Sequence, residues 1–432
     1  MEGARRALGL ERKPEDAEAR RQELFREAKK TADAVLKTLG EMKGLPLKLG
    51  QMASYIDGIA PPGYEERFQA RLKRLLDRAP PLSPESAVTV VTAELGAPPD
   101  EVFEEWEAQP FAAASIGQVH RAVTRDGVPV AVKVQYPGID KAIENDLKSV
   151  SLLESMVSPL GRKFGSREVV EEIKRVFLDE LDYVREADNA ELFRRIHAKD
   201  AELHIPRVVR ALSTRRVLTC ELVGGTGYAE FAAGGSQADR DAAGTSIWRF
   251  MMRALFRHGV LYADPHPGNY RFWPGRGGRV SFLDFGCVKV LPPELLVGMK
   301  RYITAAMDED WEAFDRACVE VLGYEPNDAT WDLYRSYTIE LLRPLTTHED
   351  WHCSPAVARR TVTFLVDGGK DLLFKDGRPR PTALKPPKIP HDFTFVSRLQ
   401  WGLASVLGGL RSIAAFRAIS EDWIRGPHLP VE

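Results

Sequence analysis

Apolar side chains recur along the first part of the chain at the spacing of helices. Residues 17–77 keep one apolar face at intervals of three and four, which is typical of amphipathic helices. Ser83 followed by Pro84 matches an N-cap with proline in the first turn, and Gly96 matches a helix stop. The pattern therefore predicts helices up to Gly96.

The apolar pattern then changes to the alternation of strands. Two alternating runs flank Arg-Asp-Gly at 125–127, which is typical of a hairpin. Alternate side chains of a strand point to opposite faces. The valines of 128–134 should therefore share one face, and Ala131, Lys133 and Gln135 the other.

The rest of the chain is mainly helical in pattern. The predicted elements are helices at 140–160 and 167–198, a strand at 215–222, a helix at about 238–258 that ends at Gly259, and two short strands around 275–278. Helices fill most of the remainder. This order predicts an α+β protein in which a small antiparallel sheet precedes a helical part.

Composition sets outer bounds on function. The chain has 432 residues and a net charge of −2, so nothing indicates a nucleic-acid partner. Its cysteines lie far apart and show no metal-site spacing, and reduced thiols in a cytosolic protein are the simplest interpretation. They are Cys220, Cys287, Cys318 and Cys353.

Two segments bear on membranes and targeting. Residues 1–21 are too charged for a signal peptide. The most apolar long segment, 399–416, falls short of the roughly 20 residues that a membrane span needs. Arg398, Arg411 and Arg417 interrupt or flank it. We expect a cytoplasmic protein with at most peripheral membrane contact. This segment should pack on the helical part, with contact to lipid as the alternative.

Residues 45–56, LPLKLGQMASYI, combine an apolar stripe with polar side chains along its edge. The stripe consists of Leu45, Leu49, Met52 and Ile56. Lys48 and Gln51 lie together beside it. On one interpretation Lys48 snorkels to water and Gln51 is solvated. On the other, this helix packs over a cleft and both side chains point into it.

Three stretches carry the residue types that a kinase needs. Lys133 lies mid-strand after a hairpin, Asp264 and Asn269 are five positions apart in ADPHPGNY, and Asp284 follows an apolar strand in FLDFGC. A kinase needs a lysine for the phosphates, an aspartate near the acceptor hydroxyl, and an asparagine and an aspartate for metal. Each stretch alone is weak evidence, because solvated strand lysines and turns are common. Their order indicates a phosphotransferase.

The chain departs from ordinary protein kinases in three places. No G-x-G-x-x-G precedes Lys133, and FAAASIGQV, with three alanines and Ser115, takes its place. No H-R-D motif is present. Gly286 is followed almost at once by LPPELLVGMKRY, predicted as a helix, so a phosphorylation-controlled activation segment has no room.

These motifs together resemble those of the UbiB/ADCK/AarF family of atypical kinases. The matching stretches are K-L-G-Q (48–51), AAAS (112–115), VAVK (130–133), E-L-D (180–182), DPHPGN (264–269) and DFG (284–286). They occur in the family's order. The helical C-terminal part matches in character only, and many family members carry C-terminal transmembrane helices.

The resemblance implies a protein-kinase-like, two-lobed fold with extra N-terminal helices. We expect a helical extension at 1–110 that carries the K-x-G-Q motif and packs on the cleft. A kinase-like N-lobe with a helical insert should follow at 111–223, and a helical C-lobe at 224–432. The family also implies binding of ATP or ADP with Mg²⁺ and weak ATPase activity.

Residue roles follow from the motifs and the resemblance together. Lys133 should hold phosphates, Asp264 should act as base or orient the attacking group, and Asn269 and Asp284 should bind Mg²⁺. His266 is expected to pack the loop. The nucleotide-binding residues are predicted to be Ala112, Ala113, Ala114, Ser115, Ala131 and Lys133, together with hinge backbone near Glu221, Leu222 and Val223.

An acidic side chain interrupts the apolar stripe of the predicted helix at 167–198. Glu180 lies on that stripe and needs a cation, because an unpaired buried carboxylate is costly. Lys133 and Lys48 are the two candidates. The family pattern adds Asp182 and Glu186, and Glu186 is the alternative partner of Lys133. Both assignments stay open at this point. With Lys48 and Gln51, these acids form the predicted regulatory cleft group.

Three functions remain to be compared. The first is an atypical kinase or ATPase in isoprenoid-lipid metabolism of the ubiquinone type, with a lipid or quinone-like molecule and a biosynthetic complex as partners. The second is a small-molecule phosphotransferase, because DPHPGN also resembles the loop of aminoglycoside and choline kinases. The third is a non-catalytic nucleotide-binding scaffold.

Overall fold

A computed structural model describes residues 84–114, 116–145, 178, 180–375, 378–379, 390 and 392–431. The helices predicted at 17–77 lie outside the described residues, and so do Lys48, Gln51 and Ser115. Much of 140–160 and 167–182 also lies outside them, although 139–145 are helical.

The first described part contains an antiparallel sheet with helices on it. In chain order its elements are α1 (Pro84–Leu95), α2 (Pro99–Val102), β1 (Glu105–Trp106), β2 (Ala112–Ala113), β3 (Gly117–Val123), β4 (Pro129–Gln135), α3 (Tyr183–Ile196), β5 (Leu203–His204) and β6 (Val217–Glu221). A five-stranded sheet has the order β1-β3-β4-β6, with β2 also paired to β3. This sheet starts at β1, inside the segment 1–110 that was expected to be a helical extension.

The alternating valines predicted in β4 position this sheet. Val130, Val132 and Val134 are fully buried and pack with Val90 and Val91 of α1. Their burial turns Ala131 and Lys133 to the opposite face of the sheet, as predicted. The predicted hairpin is also present, because β3 and β4 pair over their full length on either side of 125–127.

The prediction of an unbroken helix over 167–198 is wrong at Asp182. The backbone of Asp182 is extended (φ −120°, ψ 94°), and α3 begins at Tyr183. The Asp182 carboxylate accepts from the backbone N–H of Val184 at 3.0 Å and of Arg185 at 3.4 Å. Asp182 is therefore the N-cap of α3, because its side chain satisfies N–H groups that have no helical partner.

The second part is mainly helical, with short strand pairs. Its elements are α4 (Tyr228–Gly234), α5 (Gln237–His258), β7 (Val260–Tyr262), β8 (Tyr270–Phe272), β9 (Val280–Phe282), β10 (Val288–Val290), α6 (Pro293–Met307), α7 (Trp311–Leu322), α8 (Trp331–Thr346), β11 (Trp351–His352), α9 (Pro355–Leu373), β12 (Phe374–Lys375), β13 (Arg378–Pro379), α10 (Phe393–Leu410), β14 (Ile413–Ala414) and α11 (Phe416–Arg425).

Helix α5 forms the centre of this part. It ends as predicted, at Gly259. The left-handed backbone of this glycine (φ 65°) lets its N–H donate to backbone carbonyls of the last helical turn. Phe250, on α5, is fully buried and stacks on Phe282 of β9 with ring centroids 3.6 Å apart. Antiparallel pairing of β8 with β9 and of β7 with β10 holds two loops beside this helix. One loop carries Asp264 and Asn269, and the other carries Asp284.

The apolar segment 399–416 is not one helix. Helix α10 ends at Leu410, and Arg411 adopts a left-handed backbone (φ 53°) before the chain enters β14. Leu399, Leu403 and Leu407 are buried in the core formed with α5 and α6. None of the helices in the described ranges combines the length and the apolar character that a bilayer crossing requires. The prediction that this segment packs on the helical part is confirmed.

Candidate nucleotide site

A lysine and a glutamate meet between the sheet and the helical part. Lys133, on the face of β4 turned away from α1, places Nζ 3.0 Å from both carboxylate oxygens of Glu186. Glu186 lies in the first turn of α3 and is 5% exposed. The capping of α3 by Asp182 fixes where that turn begins. The sequence offered Glu180 and Glu186 as alternative partners of Lys133, and the structure shows that Glu186 contacts it.

Burial and charge shape this pair. Burial raises the pKa of the Glu186 carboxyl to about 7, against the opposing effect of Lys133. Burial also disfavours the ammonium of Lys133, but Asp284 and Glu186 outweigh it and raise the pKa of Lys133 well above its usual value. The ring of Tyr183 lies 5.0 Å from Nζ. The lysine is therefore held charged at a fixed position.

Asp284 completes this cluster from the loop after β9. Its Oδ2 lies 3.4 Å from Lys133 Nζ, and its Oδ1 accepts from the backbone N–H of Gly286 at 3.0 Å. The next residue, Phe285, is buried, and its carbonyl accepts from Asn189 of α3 at 2.9 Å. Helix α3 thus supplies both the carboxylate that holds Lys133 and a contact that fixes the loop carrying Asp284.

The loop carrying Asp264 and Asn269 lies directly beside that of Asp284. The side-chain amide of Asn269 donates to the carbonyl of Asp264 at 3.1 Å, which closes the loop on itself. The backbone N–H of Leu283 donates to the carbonyl of Asn269 at 2.9 Å. His266 Nδ1 accepts from the N–H of Gly268 at 3.1 Å, a contact that fits the loop-packing role expected of this histidine.

Of the two remaining acids of the predicted regulatory group, Glu180 lies close to the same point and Asp182 has another role. Glu180 is 7% exposed, and a Cβ placed on Gly286 would lie 3.8 Å from both Glu180 Cγ and Glu186 Oε2. Asp182, by contrast, uses its carboxylate to cap α3. Whether Lys48 and Gln51 reach Glu180 concerns residues outside the described ranges and stays a prediction.

The three alanines of the alanine-rich segment are hydrogen-bonded to β3. Ala112 and Ala113 pair with β3, and the N–H of Ala114 donates to the carbonyl of Gly117 at 2.8 Å. A Cβ on Gly117 would lie 2.2 Å from the carbonyl oxygen of Val134, so only glycine fits at this position, where β3 pairs with the end of β4. The alanines are therefore held by β3, which pairs in turn with β4, the strand that carries Lys133.

The predicted adenine region lies at the other end of β4. Ala131 is half-buried on the Lys133 face and lies directly opposite Cys220 of β6. The N–H of Leu222 donates to the carbonyl of Pro129 at 3.1 Å, and the Glu221 carboxylate lies 3.3 Å from His204 Nε2. Glu221 and Val223 are half-buried. They lie where the sheet meets the helical part.

Sequence reasoning missed several residues of this site. Val119 and Cys220 share the face of Lys133 and Ala131, because each lies directly opposite one of them in the sheet. Strand pairing of the predicted hairpin could have identified Val119. Burial raises the pKa of the Cys220 thiol to about 12. Arg398 of α10 reaches Asp264 with no local signal in its own sequence.

Comparison with known protein families identifies the same region. The model of the ABC1 atypical kinase-like domain matches residues 74–318. The match covers more than half of the chain and contains both candidate loops and the Lys133–Glu186 pair.

Curated relatives share this part of the chain. A chloroplast protein of Arabidopsis thaliana, ACTIVITY OF BC1 COMPLEX KINASE 7, is 38% identical over 229 residues, 52% of this chain and 32% of its own. The rat mitochondrial atypical kinase COQ8B is 32% identical over 279 residues, 65% of this chain and 52% of its own. The chain therefore spans only a third to a half of the length of these relatives.

A solved structure extends the likeness to almost the whole chain. Rv3197 from Mycobacterium tuberculosis, solved in complex with erythromycin, matches with a TM-score of 0.64 and 26% sequence identity. The match covers 95% of this chain and 100% of Rv3197. Together with the family match, it shows a kinase-like α+β fold.

Proposed function

Because the chain belongs to the ABC1 atypical kinase-like family, we propose that it is an atypical kinase or ATPase that binds nucleotide with Mg²⁺. We further propose that it acts in, or regulates, isoprenoid-lipid metabolism of the ubiquinone type. The observation that carries the nucleotide part is the convergence of Lys133, Glu186 and Asp284, with contacts of 3.0 Å and 3.4 Å at one ammonium.

The residues present fit a magnesium-bound nucleotide. Asn269 commits its amide nitrogen to Asp264, which leaves its carbonyl oxygen as the atom for a cation. That oxygen and the Asp284 carboxylate are the hard donors that Mg²⁺ prefers, and such sites take their other ligands from phosphate and water. Lys133, fixed by Glu186, would hold phosphate oxygens. Ala131, Val119 and Cys220 would contact the base.

Several residues of this chain would each have a separate role in phosphoryl transfer. Asp264 lies in the loop beside the metal ligands and would accept the proton of an attacking hydroxyl or water. Lys133 would hold the phosphates in a fixed position relative to that attacking group. Ala112, Ala113 and Ala114 would cover them, with Cβ atoms where ordinary kinases have glycine. Bound Mg²⁺ would withdraw charge from the transferred phosphoryl group.

The proposed physiological setting is isoprenoid-lipid metabolism of the ubiquinone type. Support comes from the family resemblance and from the COQ8B relative. The relatives named above are chloroplast and mitochondrial proteins, and that location is theirs. For this chain a cytoplasmic location, with peripheral membrane contact at most, stays a prediction. The lipid or quinone-like ligand and the biosynthetic complex are likewise proposals.

One assay distinguishes the candidate functions. ATP turnover and the fate of the γ-phosphate would be followed with and without vesicles that carry a quinone-like lipid. Release of inorganic phosphate that increases with the lipid supports an ATPase, and a phosphorylated lipid or small molecule supports a kinase. Nucleotide binding without turnover would leave the scaffold interpretation. Absence of binding would refute the proposed function.

A further inference from the structure

The geometry points to Arg398, on helix α10, as a positioning residue for the carboxylate of Asp264. This inference rests on the function proposed above for Asp264. Arg398 Nη2 lies 3.8 Å from Asp264 Oδ1, and the two side chains are only 13% and 14% exposed. Ala263, directly before Asp264, is apolar and fully buried. Because Arg398 lies on α10, a helix far along the chain supplies the guanidinium at this carboxylate.

Arg398 contacts both candidate loops. Its Nη1 lies 3.8 Å from Cys287 Sγ, immediately after the Asp284-Phe285-Gly286 segment. A guanidinium is planar and presents donors in fixed directions, so it can hold two groups at one mutual distance. Arg398 is thus placed to set the position of Asp264 relative to the loop that carries Asp284.

Helix α10 approaches the Asp264 loop as closely as its backbone allows. Gly402 lies one turn after Arg398, and a Cβ on Gly402 would lie 2.4 Å from Pro265 Cγ. Pro265 directly follows Asp264. A side chain at residue 402 would push the loop away from the helix, and with it the carboxylate that Arg398 contacts.

A separate ion pair attaches the start of α10. Lys289 Nζ, on β10, lies 2.9 Å from Asp392 Oδ1 at the N-terminal end of the helix, and 5.0 Å from the ring of Phe395. This contact holds the helix but does not involve Asp264. It therefore provides a matched control for a loss of ion pairing on α10 that leaves the Asp264 contact intact.

The experiment compares Arg398→Gln, Arg398→Lys and Gly402→Ala with the control Asp392→Asn. Each protein is measured for melting temperature, nucleotide affinity, kcat for ATP turnover, and hydrogen exchange of residues 263–270. We expect Arg398→Gln to keep wild-type nucleotide affinity while kcat falls about tenfold or more, because a misplaced catalytic group costs rate rather than binding. Arg398→Lys should restore part of kcat.

Hydrogen exchange tests the inference independently of turnover. Residues 263–270 should exchange faster in Arg398→Gln and in Gly402→Ala, and at the wild-type rate in Asp392→Asn. Wild-type exchange and wild-type kcat in Arg398→Gln would overturn the inference, and so would equal losses in Arg398→Gln and Asp392→Asn.

Failure of the proposed function would be recognised separately. If the wild-type protein binds nucleotide but does not turn it over, hydrogen exchange alone tests the inference. A wild-type exchange rate of residues 263–270 in Arg398→Gln would then overturn it. If the wild-type protein binds no nucleotide, the proposed function fails and the positioning role falls with it. If Arg398→Gln does not fold, Arg398→Lys and Gly402→Ala test the same contact by the same measurements, and wild-type exchange and kcat in both would overturn the inference.

Discussion

The backbone N–H of Leu283 donates to the carbonyl of Asn269 at 2.9 Å. This one hydrogen bond places the residue directly before Asp284 against Asn269, so the two predicted magnesium ligands lie in adjacent loops. The Lys133 ammonium also contacts Asp284, at 3.4 Å.

Asp284→Asn should weaken magnesium-dependent nucleotide binding by about tenfold or more, because a neutral amide is a poorer ligand for a hard divalent cation than a carboxylate. Isothermal titration with ATP, with and without Mg²⁺, measures this. Asp308→Asn is the matched control, since Asp308 pairs with Arg425 on the surface. Equal magnesium dependence in all three proteins would contradict the assignment.

Asp182→Ala should lower the free energy of unfolding by about 1 kcal/mol, because it removes the N-cap of α3. Nucleotide affinity should fall as well, since α3 begins with the turn that carries Glu186. Asp182→Asn should restore most of both losses, because asparagine caps helices equally well. Urea unfolding and nucleotide titration measure the two effects. Identical behaviour of the alanine and asparagine variants would exclude the capping role.

The stability of the protein should depend on pH through Glu186, whose pKa burial raises from 4.5 to about 7. Between these values the folded state keeps a proton that the unfolded chain has released. The free energy of unfolding should therefore fall as pH rises from about 4.5 to about 7. Glu186→Gln should remove this part of the decline. Urea unfolding across that range measures it, and parallel pH profiles of the two proteins would refute the shift.

Phosphorylation of generic peptides should be absent or very weak. Cys287 follows Gly286, β10 begins at Val288 and α6 at Pro293, so this described stretch leaves no room for an activation segment, which normally builds the peptide-docking surface. Helix α10 lies against the same region through Arg398 and Asp392. Transfer of labelled phosphate from ATP to a peptide mixture measures this activity. Saturable transfer that Asp264→Asn abolishes would show the prediction to be wrong.

The parts of the site that could be predicted are those set by strand periodicity and short loops. Alternating valines in β4 were sufficient to place Lys133 and Ala131 on one face, and the turn residues at 125–127 were sufficient to pair β3 with β4. The spacing of Asp264 and Asn269 was likewise visible, because both belong to one loop.

Other contacts had no local signal. An apolar stripe on both sides of Asp182 predicts a continuous helix, whereas the backbone of Asp182 is extended and its side chain caps α3. The contact of Arg398 with Asp264 depends on how α10 packs on the helical part, which no spacing in the sequence encodes. The choice between Glu180 and Glu186 also required the break at Asp182, because the break sets which side of α3 faces the sheet.

The aromatic packing of α3 has a consequence for inhibitor design. The ring of Phe193, on α3, lies 4.9 Å from Phe250 of α5, 5.5 Å from Phe285 and 5.8 Å from Tyr262. A compound that acts by swinging this helix outward would have to separate all three ring pairs at once, and each pair is worth about 0.5–1.5 kcal/mol beyond its buried area. Compounds that bind with the helix in place, against Ala131, Val119 and Cys220, avoid that cost.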